Sequence, residues 1–158
     1  MAPRLLARAR RLLLGPPVSV DLEPIRYVLG SIEARTARTA LTLRDAEFRA
    51  FSQFGEDGII QWLIARVPID RERFVEIGAG NYGESNTRFL LEHDNWTGTV
   101  IDSGEAHIRY VAGTDLAWRH TIECVSAFVT RDNVNDLVGN GDLGLLSIDI
   151  DGNDYWVW

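Results

Sequence analysis

The stretch that most constrains this chain runs from Phe74 to Thr87, FVEIGAGNYGESNT. An apolar run able to form a buried strand enters a turn carrying Gly78, Gly80 and Gly83, and an amphipathic segment from Asn86 to His93 follows. Strand, glycine loop and helix start, in that order, open a nucleotide-binding α/β fold. Glycine lets the backbone turn tightly and approach a ligand where a Cβ would collide. The helix start is expected to offer that ligand unpaired N–H groups and positive dipole density.

A G-x-G-x-x-G pattern also fits dinucleotide-binding domains, and Glu76 separates the two readings. It stands in the strand two residues before Gly78. Dinucleotide sites usually keep that position apolar, whereas S-adenosylmethionine sites usually put an acid there, facing the methionine ammonium. An acid is favourable beside a cationic ligand and unfavourable beside a pyrophosphate. Asp102 follows about twenty residues beyond Gly83, at the end of a second strand pattern, where a carboxylate accepts from ribose hydroxyls. Both ligand classes carry ribose, so Asp102 points to a nucleoside without choosing between them.

The 158 residues, 46% hydrophobic and 25% charged, fit one domain with a sizeable core. Net charge is −7, and no basic patch stands out in the body of the chain, which argues against a nucleic-acid partner. Every Lys/Arg position is Arg. The single cysteine, Cys124, excludes an internal disulfide and fits a reducing, cytoplasmic setting. Its apolar neighbours read as those of a structural thiol. Met1 to Val20 is basic and leucine-rich, and Pro16-Pro17 interrupts it. Its apolar run is too short for a transmembrane span or a secretory h-region. It reads as an N-terminal extension, with a membrane-surface helix as the alternative.

Asp21 to Arg49 reads as a helical arm, dividing the chain into an extension over 1–50 and an α/β unit over 51–158. Ser52 to Ile60 leads into a helix with Ile60, Leu63, Ile64 and Val67 on one face, ended by Pro68. Strand and helix patterns then alternate. Strands are expected at Gly98 to Asp102, Thr121 to Val125 and Leu143 to Ile150, and a helix at Glu105 to Ala112. A short helix is capped by Asp132 and stopped by Gly139. Such alternation implies a parallel sheet with helices on both faces. The last strand ends in three carboxylates, Asp149, Asp151 and Asp154. They suit a hard divalent cation such as Mg, or one of them suits a general base. Tyr155 and Trp156 then offer an apolar wall for a sugar or small alcohol. The other reading makes Asp151-Gly152 a turn and Asn153 or Asp154 a helix cap.

Four segments together resemble the FkbM-type family of S-adenosylmethionine-dependent methyltransferases, within class I: SQFGEDGII (Ser52 to Ile60), FVEIGAGNYGESNT, NWTGTVID (Asn95 to Asp102), and the pair VTRDNVNDL and LLSIDIDGNDYW (Val129 to Leu137, Leu145 to Trp156). The resemblance implies a Rossmann-like parallel sheet in the order 3-2-1-4 and methyl transfer to a hydroxyl of a sugar or secondary metabolite. It puts Glu76, Gly78 and Gly80, with Ala79 between them, along the methionine and ribose of the cofactor. It puts Asp102 on the ribose, and Ala127 and Phe128 near the adenine. Asp149 falls beside the transferring methyl, as base or metal ligand, and Gln53 and Asp57 near the cofactor mouth. Family members carry further strands after the fourth. The expectation is therefore of an N-terminal methyltransferase fragment whose fourth strand exposes an edge through which it oligomerises. A non-catalytic cofactor-binding or protein-pairing module and a NAD-dependent oxidoreductase are the competing readings.

Overall fold

The structure, a computed structural model, describes residues 22–158. The basic segment of residues 1–20 lies outside them. The first helix, α1 (Glu23–Ala37), carries Pro24 in its first turn, where a missing N–H costs nothing. A turn breaks the arm before α2 (Leu43–Ala46), whose entry Thr42 caps by accepting from Asp45 N–H. The expected single helical arm is thus two helices. α3 (Glu56–Ile64) ends before Pro68, so Val67 lies outside it and is exposed, as is Leu63. Only Ile60 and Ile64 of the expected apolar face reach the core.

Beyond α3 the chain runs β1 (Arg73–Ile77), α4 (Arg88–His93), β2 (Thr97–Asp102), α5 (Glu105–Ala112), α6 (Asp115–Arg119), β3 (Ile122–Ser126), α7 (Val134–Val138), β4 (Leu145–Ile148) and α8 (Asp154–Val157). The fold is α/β. The four strands form one parallel sheet in the order β3-β2-β1-β4, as a Rossmann-like fold requires. Sequence reading missed α6 and misplaced one cap: Asn133, not Asp132, precedes α7. The Asn133 side chain accepts from Thr130 N–H and donates to the Phe128 carbonyl, while Asp132 stays exposed.

Register sorts the side chains into two cores. Glu76 pairs with Val100 and Ser147, and Val100 with Cys124, so all four share one sheet face with Phe74. That face packs on Ile60, Leu90, Leu91, Ile108 and Val111 from α3, α4 and α5. The other face, Val75, Ile77 and Ile101 with Leu146 and Ile148, packs on Val134 of α7 and Val157 of α8. Half-buried Cys124 packs into the first core, and burial raises its thiol pKa, so it sits there as a small apolar group.

The arm joins the α/β unit through a third cluster. Ala34, Ala50, Phe51 and Phe89 pack together there. Beside it the buried Arg88 guanidinium meets Glu23 at 2.7 Å and Glu92 at 2.6 Å and lies 4.2 Å over the Phe51 ring. Among the described residues β4 pairs on one side only, with β1, at the end of the sheet. None of the described helices is long and apolar enough to cross a membrane.

Candidate functional site

In an open parallel sheet, ligands bind outside the carboxyl ends of the strands, where the order reverses. Here that point lies between β1, β2 and β4, and the chain gathers its unusual backbone there. Gly78 leaves β1 with φ +89° and Gly80 follows with φ +54°. A Cβ on Gly78 would stand 1.7 Å from the Asp149 carbonyl oxygen, so only glycine lets the ends of β1 and β4 come this close. A Cβ on Gly80 would meet nothing within 4 Å. Space is therefore left open beside Gly80, and the backbone N–H of Gly78 is bonded inward to the Ile101 carbonyl at 2.8 Å.

Glu76 is buried on the sheet face that packs against α4, and its carboxylate closes the loop from beneath. Its Oε1 accepts from Asn86 N–H at 3.1 Å. Its Oε2 accepts from the Ser85 hydroxyl at 2.7 Å, from Thr87 N–H at 3.1 Å and from the Thr87 hydroxyl. This corrects the expectation of a helix start with open N–H groups. The donors of Asn86 and Thr87 go to Glu76, and Arg88 N–H goes to the Ser85 hydroxyl. A strand carboxylate thus caps the entry to α4, a favourable place for negative charge. Burial raises the Glu76 pKa, and the four hydrogen bonds oppose that rise. Tyr82, buried with φ +60°, bonds through its hydroxyl to Thr87 Oγ1 at 2.9 Å and pins the outer end of the loop.

Asp102 holds the inner end of the loop. Its Oδ2 accepts from Gly80 N–H at 2.9 Å and its Oδ1 from Gly104 N–H at 2.7 Å, so it ties the β1 loop to the β2 loop. It also borders a cavity of about 350 Å³ whose wall includes Gly78, Gly80, Ala127, Phe128 and Asp149. A smaller cavity of about 230 Å³ adjoins, bordered by Gln53, Glu76, Ala79, Gly80, Glu84 and Asp149. Gly78, Gly80, Asp149 and Asp151 border both. Neither wall contains an arginine; its charged side chains are Glu76, Glu84, Asp102, Asp149 and Asp151, and His107 is the one group able to become cationic.

Comparison with protein-family models, with curated proteins and with solved structures finds no match to this chain.

The site therefore stands on its own geometry. The structure brings together Gln53, Glu76, Gly78, Ala79, Gly80, Asp102, Ala127, Phe128 and Asp149 around the two cavities. Asp57 is not among them. It is 1% exposed at the start of α3, and its Oδ2 accepts from Ala50, Phe51 and Ser52 N–H and from the Ser52 hydroxyl. It closes the SQFGED turn, and its neighbour Gln53 alone from that motif borders the site. The acidic group at the end of β4 also divides. Asp154 accepts from Ile150 N–H at 2.7 Å and from Gly152 N–H at 3.3 Å, which folds the turn before α8. That is the turn-and-cap reading of this segment, and it engages both carboxylate oxygens of Asp154 with the backbone. Among the described residues no group of three His, Cys, Asp or Glu side chains is placed to hold a metal ion. Asp149 remains exposed between the cavities. Burial, then repulsion from Asp154, Asp151 and Glu56, raises its pKa.

Sequence reading missed Ser85 and Thr87, the hydroxyl partners of Glu76. The signal was present as Ser-x-Thr between the last loop glycine and the helix. It also missed that Asp102 clamps the loop before any ligand arrives.

Proposed function

We propose that this chain carries the cofactor site of an S-adenosylmethionine-dependent O-methyltransferase acting on a hydroxyl of a sugar or secondary metabolite. The observation that carries the reading is the charge of the glycine-loop site: five carboxylates and no arginine border two cavities that share Gly78, Gly80 and Asp149. A pyrophosphate there would meet like charge, whereas a sulfonium and an α-ammonium would meet opposite charge in a partly desolvated cleft. This favours a methyl donor over a dinucleotide.

The open space at Gly80 and the mixed polar and apolar wall of the larger cavity fit the cofactor. Ala127 and Phe128 would flank the adenine, and Asp102 would accept from the ribose while keeping Gly80 in place. Glu76 would face the ammonium through Oε1, which accepts only from Asn86 N–H among the described residues. The bound cofactor supplies an electrophilic methyl group. The chain's part is then to orient the acceptor oxygen in line with that methyl, a positioning effect of ~7–11 kcal/mol where geometry is good. Asp149, with its raised pKa, would receive the acceptor's proton; general bases of this kind contribute ~10²–10⁴ in rate. Among the described residues no group of three ligating side chains fits a metal, and the proposed step uses none.

The test is transfer of a labelled methyl group to a panel of sugar and small-alcohol acceptors, beside an Asp149→Asn variant. Transfer that the variant loses while still binding S-adenosylhomocysteine supports the reading. Binding without transfer to any acceptor favours the cofactor-binding module. Binding of NAD in preference to S-adenosylhomocysteine favours the oxidoreductase.

A further inference from the structure

Helix α1 is built inside out. Its inner face carries its smallest residues: Gly30, Ala34 and Ala37 are buried, and a Cβ on Gly30 would stand 2.8 Å from Ala50 Cβ and 2.9 Å from the Phe89 ring. Its outer face carries its largest apolar residues. Leu22 at the N-cap, Ile25, Val28, Leu29 and Ile32 recur at helical spacing, and each is 53–58% exposed. A stripe of this kind on a surface helix marks a protein contact.

The charges beside the stripe name the partner. On the helical wheel Arg26 and Glu33 border it along the same side. Neither has an ion pair among the described residues. They lie symmetrically about the middle of the helix, between Leu29 and Gly30. Turn a second copy end for end about a two-fold axis at that point, and Arg26 of each copy falls opposite Glu33 of the other. A parallel two-fold arrangement would carry the Arg26–Glu33 flanks of the two copies to opposite sides of the seam, where they could not pair. An isologous two-fold contact needs this self-complementarity, one patch that fits itself.

We propose that α1 is a homodimer interface, pairing antiparallel with α1 of a second copy through Leu22, Ile25, Val28, Leu29 and Ile32, with two Arg26–Glu33 pairs along its flank. A single two-helix seam is at the small end of specific interfaces, so the dimer is weak and concentration-dependent. No residue of this seam borders the two cavities at Gly78, Gly80 and Asp149, so the proposal stands whether or not the methyl donor binds.

The test is sedimentation equilibrium of the full chain across a concentration series, at low and at high salt. The expected result is a reversible dimer that Leu29→Glu dissociates. Arg26→Glu and Glu33→Arg should each weaken association by about tenfold, and the double variant should restore it, because opposite charges face again. Far-ultraviolet circular dichroism confirms that these exposed positions leave the fold intact. A monomer at every concentration overturns the proposal, whether the stripe stays bare or is covered from within the same chain. A dimer that ignores Leu29→Glu belongs to another surface, such as the free edge of β4, and overturns it too. Loss of the dimer in Leu29→Glu, with no rescue in the double charge variant, overturns the antiparallel register.

Discussion

At the scale of single residues, the acids of the glycine-loop region do structural work before any ligand is present. Glu76 satisfies four donors of Ser85, Asn86 and Thr87. Glu76→Gln replaces one acceptor oxygen by a donor that faces other donors, so it should lower unfolding stability by about 1–3 kcal/mol, read from urea denaturation. An unchanged midpoint would show that the loop does not depend on this carboxylate. Asp57 offers a pH test. Burial raises its pKa despite its hydrogen bonds, and its Oδ1 is buried with no hydrogen-bond partner among the described residues. A folded pKa above the unfolded one means that the folded state holds the proton more tightly. The contribution of Asp57 is then fully present below the ordinary carboxylate range and is lost as pH rises through the raised value. Stability measured from about pH 3 to pH 8 should therefore show an alkaline-going loss that Asp57→Asn reduces. Glu76 shifts in the same direction and leaves part of the loss in place. An equal or steeper loss in the variant would contradict the assignment.

At the scale of elements, the loop between β1 and α4 is a hinge between two kinds of glycine. At Gly78 the Asp149 carbonyl leaves no room for a side chain, so Gly78→Ala should pry β4 from β1 and unfold the strand ends. At Gly80 the space is open and only the positive φ resists, a cost of ~1–2 kcal/mol. Gly80→Ala should therefore stay folded yet lose nucleoside binding, because its methyl group stands beside both cavities. Equal melting temperatures for the two variants would refute this distinction. Asp102→Ala frees the N–H groups of Gly80 and Gly104 and should weaken S-adenosylhomocysteine by about 1–3 kcal/mol in calorimetry. An unchanged affinity would place Asp102 outside the ligand's reach.

The same elements show what was legible in the sequence. The apolar run of β1, the glycines after it and the acid at the end of β2 each follow from local pattern, and the sheet order follows from their resemblance to a class I methyltransferase. The acids misled where their partners are distant in space or belong to the backbone. Asp57 is expected at the site only through the family resemblance of its motif, yet its oxygen turns back to three N–H groups five to seven residues upstream. Asp154 reads as a metal ligand because two aspartates precede it, yet the turn at Asp151 and Gly152, both at positive φ, swings its carboxylate onto the backbone. The helical arm was legible, but which face of α1 turns inward was not: close packing on Ala50 and Phe89 selects the face of glycine and alanine.

At the scale of the whole molecule, the account rests on one claim: the carboxyl ends of β1, β2 and β4 form a nucleoside site whose negative charge selects a cationic methyl donor. The arm is fastened by Arg88, which clamps α1 to α4 away from both cavities. The most direct measurement is isothermal titration calorimetry of the chain with S-adenosylmethionine, S-adenosylhomocysteine and NAD under identical conditions, with folded Gly80→Ala as the control. The account predicts saturable binding of the first two ligands, NAD at least tenfold weaker (about 1.4 kcal/mol), and no binding to the control. Binding of NAD as tight as that of S-adenosylmethionine, or equal binding of S-adenosylmethionine to Gly80→Ala, would contradict it.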